Sequence, residues 1–154
     1  MALAILKMYA KMANKKVFGE RNQKLSYKLL SENEYYDWVI TTAFYSSIHF
    51  FENKILPAII NGCSCKNISD VKRAYHEDGR HAARRSMIRN HCPSDISGFY
   101  NWLDDQSRNS RYTTYKVNKP MGEKAKDYLD KIYLFCYPPA SVGEKTQETT
   151  SCDQ

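Results

Sequence analysis

Trp38-Val39-Ile40-Thr41-Thr42-Ala43-Phe44-Tyr45-Ser46-Ser47-Ile48-His49-Phe50-Phe51-Glu52-Asn53-Lys54-Ile55 is the stretch that decides the fold class. Ile40, Phe44, Ile48, Phe51 and Ile55 recur at three- and four-residue intervals, the period that lines one face of an α-helix. Asp37 stands where an N-cap is expected, and Pro57 with Gly62-Cys63-Ser64-Cys65 closes the segment. The same period recurs on both sides. Residues 2–16 set Ala2, Leu6, Tyr9 and Ala13 on one stripe and Lys7, Lys11 and Lys15 on another, and Gly19 reads as a break before a second helical stretch from Arg21 to Leu30.

Downstream, a basic helix is expected from Ser69 to Asn90, with Gly79 as an interruption and Pro93 as its end. Ser94 or Asp95 caps a short segment carrying Ile96, Phe99, Tyr100 and Leu103. A polar turn, Ser107-Arg108-Asn109-Ser110-Arg111, follows it. A last helix from Glu123 to Cys136 turns Ala125, Leu129, Ile132 and Cys136 inward, and Pro138-Pro139 stops it. No strand-period alternation competes. Short connections between amphipathic helices make an all-α, antiparallel bundle of four to five helices. The organisation expected is a basic N-terminal helix over 1–19, the bundle over 20–137 and a disordered Thr/Glu/Ser-rich tail over 138–154.

The 154 residues are 42% hydrophobic and 26% charged, enough for one domain with its own core. No apolar run approaches the roughly 20 residues that span a bilayer, so no membrane partner is expected. Five cysteines, at 63, 65, 92, 136 and 152, are an odd set that suits free thiols in a reducing, cytoplasmic setting. Cys63-x-Cys65 with His76, His81, His91 and Cys92 lacks the two-to-four-residue ligand spacing of structural zinc sites, so neither a metal nor another cofactor is expected.

The net charge of +6 is unevenly placed: +6 over residues 1–30, −3 over 31–62, +4 over 63–92 and −1 over the remainder. The first block carries six Lys and one Arg, the third five Arg and two Lys. Arg offers a planar fork that suits phosphate oxygens, so the middle of the chain is where an anionic partner is expected. There Arg80 and Arg84, and likewise Arg85 and Arg89, stand one helical turn apart, with His76, His81 and His91 among them. On the main helix Tyr45, His49 and Glu52 form a polar seam beside the apolar stripe. Two readings of it stay open: a histidine satisfied at the edge of the core, the commoner outcome, or one that faces a cleft.

Three pieces in order resemble a branch of the small prokaryotic HEPN-domain proteins. Trp38 to His49 is similar to that family's tryptophan-to-histidine helix, His81-Ala82-Ala83-Arg84 to the start of a later helix, and Tyr100-x-x-Leu103 with Ser107-Arg108-Asn109-Ser110-Arg111-Tyr112 to its arginine-rich turn. The resemblance covers residues 20–136. It implies a helical bundle, a homodimer, and a function in binding RNA or a nucleotide or in cutting RNA without metal, within toxin–antitoxin or phage-defence systems. A nucleotidyltransferase or an antitoxin is the further partner it implies.

Active members of that family carry an Arg, four to six intervening residues and then a His, the Arg stabilising the phosphorane and the His orienting or activating the ribose 2′-hydroxyl. Arg111 stands at the family's arginine, but Tyr115 and no histidine follows it. Arg85 and His91 have the required spacing. The resemblance therefore names Arg85, His91 and Arg111 as catalytic candidates, and His49, His81, Arg84, Arg108, Tyr112 and Tyr115 as contacts to RNA or phosphate. The alternative function is a non-catalytic helical interaction module, an antitoxin-like or accessory subunit.

Overall fold

Almost every face of the central helix is covered, which is why its sequence is so rich in apolar and small residues. In the computed structural model, which describes residues 2–112 and 116–139 and the side chains over 14–111 and 116–139, the helices are α1 (Ala2–Ser31), α2 (Tyr36–Ile55), α3 (Ile68–Ala74), α4 (Arg80–His91), α5 (Ser94–Tyr112) and α6 (Lys119–Cys136). A hairpin of β1 (Ala58–Ile60) and β2 (Cys63–Cys65) lies between α2 and α3. The protein is an all-α bundle with this small hairpin inserted. None of the helices among the described residues is long and apolar enough to cross a membrane.

Helix α2 runs through the middle and packs against α1, α4, α5 and α6. Val39, Ile40, Ala43, Phe44, Phe50 and Phe51 are fully buried on it, so both sides of its stripe meet neighbours. Ala83, Met87 and Ile88 of α4, Tyr100 and Leu103 of α5, and Ala125, Leu129 and Ile132 of α6 complete the core.

Four local expectations are corrected. Helix α1 runs through Gly19 without a break. An added Cβ there would meet the Phe50 ring at 2.4 Å, and the Gly19 carbonyl accepts the Ser46 hydroxyl at 2.7 Å. The glycine marks close helix packing, not a helix end. Second, Tyr35 caps α2 in a left-handed conformation, and Asp37 lies inside the first turn, where its charge suits the helix N-terminus.

Third, residues 58–65 form the antiparallel hairpin, with Ile60 opposite Cys63 and positive φ at both Asn61 and Gly62. Asn-Gly between short apolar runs is a hairpin signal, and both residues tolerate the left-handed turn it needs. Fourth, Ser107–Arg111 is helix: α5 continues to Tyr112.

The basic helix does divide before Gly79. Asn67 caps α3 through bonds from the Ser69 and Asp70 amides, and α4 starts afresh at Arg80. Helix α6 begins at Lys119, four residues before the expected start, because the Asn118 side chain accepts from the Met121 amide and Pro120 fits the first turn. Ala125, Leu129, Ile132 and Cys136 are buried as expected. From residue 140 the tail lies outside the described residues.

Candidate functional site

Three helices, with Lys15 of α1 beside them, bring one polar cluster together. The outer stripe of α2 supplies Tyr45, His49 and Glu52, the first turns of α4 supply His81, Arg84 and Arg85, and the second half of α5 supplies Asp104, Arg108 and Arg111. Two carboxylates anchor it. Glu52 is buried, with Lys15 Nζ donating to Oε2 at 2.8 Å and Arg84 Nε to Oε1 at 2.7 Å. Burial alone would raise its pKa, but the Lys15 and Arg84 contacts outweigh it and hold the carboxyl below its ordinary value.

Asp104 is fully buried and receives two arginines. Arg85 Nε donates to Oδ2 at 2.6 Å, while Arg108 straddles the carboxylate with Nε and Nη2 at 3.1 Å each. Arg85 also reaches Asp105 with its Nη2. His81 Nδ1 lies 3.7 Å from Asp104 Oδ1, near enough for attraction but too far for a hydrogen bond. Its ring stacks on Phe44, 5.9 Å between centroids at 15°.

Arg111 is held differently. Its Nε donates to the Ser107 carbonyl at 2.9 Å, and Nη1 to the Tyr45 hydroxyl at 3.1 Å, which sets the guanidinium 5.8 Å from the Tyr45 ring centre. The cluster thus joins Lys15, Arg84, Arg85, Arg108 and Arg111 to Glu52, Asp104 and Asp105, a formal excess of two positive charges.

Both histidines resist taking a proton. Burial lowers the pKa of His49, and Lys15 and Arg84 deepen the effect against the pull of Glu52. Burial likewise lowers His81, where Arg84, Arg108 and Arg111 oppose Asp104. At neutral pH both are uncharged imidazoles.

Of the sequence candidates, His49, His81, Arg84, Arg85, Arg108 and Arg111 converge here. His91 does not. It sits exposed at the end of α4, with Nδ1 2.8 Å from the Met87 carbonyl. It lies six positions after Arg85, which is about 9 Å along the axis and roughly 240° around it, so their spacing does not put them on one face. Tyr112 ends α5 with its side chain outside the described residues, and Tyr115 lies wholly outside them.

Asp104 is the residue whose part was missed. Its i,i+4 relation to Arg108 was readable along the chain, but its bond to Arg85 depends on how α4 meets α5. Arg111, conversely, pairs with Tyr45 across the bundle. No protein-family model, curated protein or solved structure matches this chain.

Proposed function

We propose that the α2–α4–α5 cluster is a phosphate-binding site for RNA or a nucleotide, in a protein similar to the HEPN-domain group. The observation that carries this reading is the convergence of four arginines from α4 and α5, three of them held by two buried carboxylates and Arg111 by Tyr45 and the Ser107 carbonyl. Glu52 and Asp104 take the Nε side of Arg84, Arg85 and Arg108, so those guanidiniums are already oriented before a ligand arrives. Arg84 uses only Nε for Glu52, and its terminal nitrogens make no hydrogen bond among the described residues. A prealigned fork binds a phosphate with less loss of side-chain freedom than a mobile lysine does. The neutral rings of His49 and His81 add flat surfaces beside that charge.

Binding without cleavage is the form the geometry favours, because His91 stands away from the arginines. The test uses a short labelled RNA and fluorescence anisotropy at 50 and 200 mM salt. Affinity is expected to fall steeply across that range, as counterion release requires. Arg111→Gln should weaken binding and lower the salt slope by about 1, whereas Lys24→Gln on the outer flank of α1 should leave both unchanged. Equal loss in both variants, or no binding at 50 mM salt, would overturn the assignment.

A further inference from the structure

Tyr35 sits where three local rules would place another residue. It precedes α2 in a left-handed conformation, φ 54° and ψ 44°, which suits Gly or Asn and not a bulky ring. At the N-cap its side chain takes none of the free helix amides, as Ser, Asp or Asn would. It is 60% exposed, so it adds little to the core. Local stability does not explain a tyrosine here, and departures of this kind gather at functional surfaces. Trp38, three residues on, is alike. It is 54% exposed, and neither ring stacks on another, faces a cation or donates a hydrogen bond among the described residues. Trp102, by contrast, lies 5.2 Å from the Tyr128 ring with Lys124 4.9 Å above it. The packing of α1 on α2, fixed by the Ser26 hydroxyl on the Val39 carbonyl, sets Leu25 and Leu29 beside the turn that carries Trp38. Tyr35, Trp38 and the exposed Leu25 form an unpartnered aromatic face at this end of the bundle.

Charge selects the partner. Glu32, Glu34 and Asp37 stand around this face against Lys28, a formal −2. Glu34 and Asp37 make no ion pair or side-chain hydrogen bond among the described residues. The carbonyl end of α1 and the amide end of α2 meet in the same turn, so their opposed dipole ends largely offset and the carboxylates set the sign. Lys119 and Lys126 stand on the far side of that turn, in a groove they share with Tyr27 and Leu30. Exposed rings bordered by carboxylates attract a cation in two ways, through the ring quadrupole and through the carboxylate charge. A polyanion meets repulsion here, and a second copy placed on this face about a twofold axis would set like charge against like.

We propose that the Tyr35–Trp38 face docks a cationic segment of a protein partner, with an arginine or lysine of that segment against the Trp38 ring and Glu34 and Asp37 beside it. The face is separate from the arginine cluster. Two turns of α2, about 10 Å, lie between Trp38 and Tyr45, and the proposal does not rest on phosphate binding at that cluster.

Titration of the 15N-labelled full chain with a short amphipathic peptide of leucine and arginine tests it, the same peptide with glutamate for arginine being the control. The Trp38 indole N–H signal should shift with the arginine peptide and hold its place with the glutamate peptide, while the Trp102 indole beneath Lys124 stays unchanged in both. Trp38→Leu keeps an apolar side chain but removes the ring, and should weaken binding about fivefold, the scale of an exposed cation–π contact. Glu34→Gln should weaken it by a smaller factor that shrinks at high salt. Both changes fall at exposed positions, so the far-UV circular dichroism of each variant should match the wild type. No shift at Trp38 with about 1 mM arginine peptide overturns the proposal, as do equal shifts with both peptides or undiminished binding by Trp38→Leu. A Trp38 signal that moves on dilution of the free protein assigns the face to a second copy, and one that moves with single-stranded RNA but not with the peptide assigns it to nucleic acid. Either result overturns the proposal and leaves the arginine cluster to its own test.

Discussion

Asp104 bears more of the site than any other side chain. It is fully buried, and two guanidiniums close over it. Its replacement by Asn keeps the volume but removes the charge, leaving Arg85 and Arg108 partly desolvated beside a neutral amide. Because both guanidiniums keep solvent on one side, losing these charged hydrogen bonds costs about 1–3 kcal/mol, so Asp104→Asn should lower the urea midpoint with little change in the slope. The histidines make stability depend on pH. His49 and His81 have pKa values below 6.5 when folded, and an unfolded chain takes up their protons near 6.5. Between those limits the unfolded state binds more protons, so stability falls as pH drops below about 6.5. Glu52, held below its ordinary 4.5, adds a further loss only as pH falls through its lowered value. Chemical unfolding at pH 7, 5.5 and 4.5 should give steadily smaller stabilities, and the imidazole proton resonances of His49 and His81 should titrate below 6.5.

Helix α1 shows what sets an element's limits. Gly19 has the least helix-forming side chain of its neighbourhood, and Ala would gain about 1 kcal/mol from propensity. The Phe50 ring occupies the space that a methyl group needs, however. Overpacking costs about 1–3 kcal/mol, so Gly19→Ala should lower the melting temperature, whereas a rise would show that α1 and α2 are not so closely packed. At the start of α6, Asn118→Ala should cost about 1 kcal/mol through the lost cap to Met121. These two positions also show how much of the fold was legible. The period of Ile40, Phe44, Ile48 and Phe51 announced the central helix without help from its neighbours, and the inward set Ala125, Leu129, Ile132 and Cys136 was equally plain. Gly19 was misread because its reason lies 31 residues away, in Phe50. Asn61-Gly62 was passed over because three-residue strands are too short to show a period of two. Ser107–Arg111 looked like a turn from its polarity, yet its arginines are polar on the outer side of a helix whose inner side holds Tyr100 and Leu103.

Across the whole molecule the basic charge falls in two regions, the lysines of α1 and the arginines of α4 and α5. The arginines of α4 and α5 converge with the α2 seam, and buried carboxylates hold them in place, an arrangement that only the packing of three helices creates. The candidate residues were legible one by one as Arg and His in an Arg-rich segment. Their grouping was not, since it depends on Asp104 and Glu52 drawing separate helices to common partners. The same packing excludes His91 from the group and brings in Arg111 by way of Tyr45. Phosphate binding by this cluster is most directly tested by adding a single-stranded RNA 12-mer to the 15N-labelled full chain at 50 mM salt. The largest shifts are expected at the Arg84, Arg85, Arg108 and Arg111 side-chain Nε–H signals and at the His49 and His81 rings, with small changes at Lys24 and Lys28. Shifts confined to the α1 lysines, or none at any of the four arginines, would contradict it.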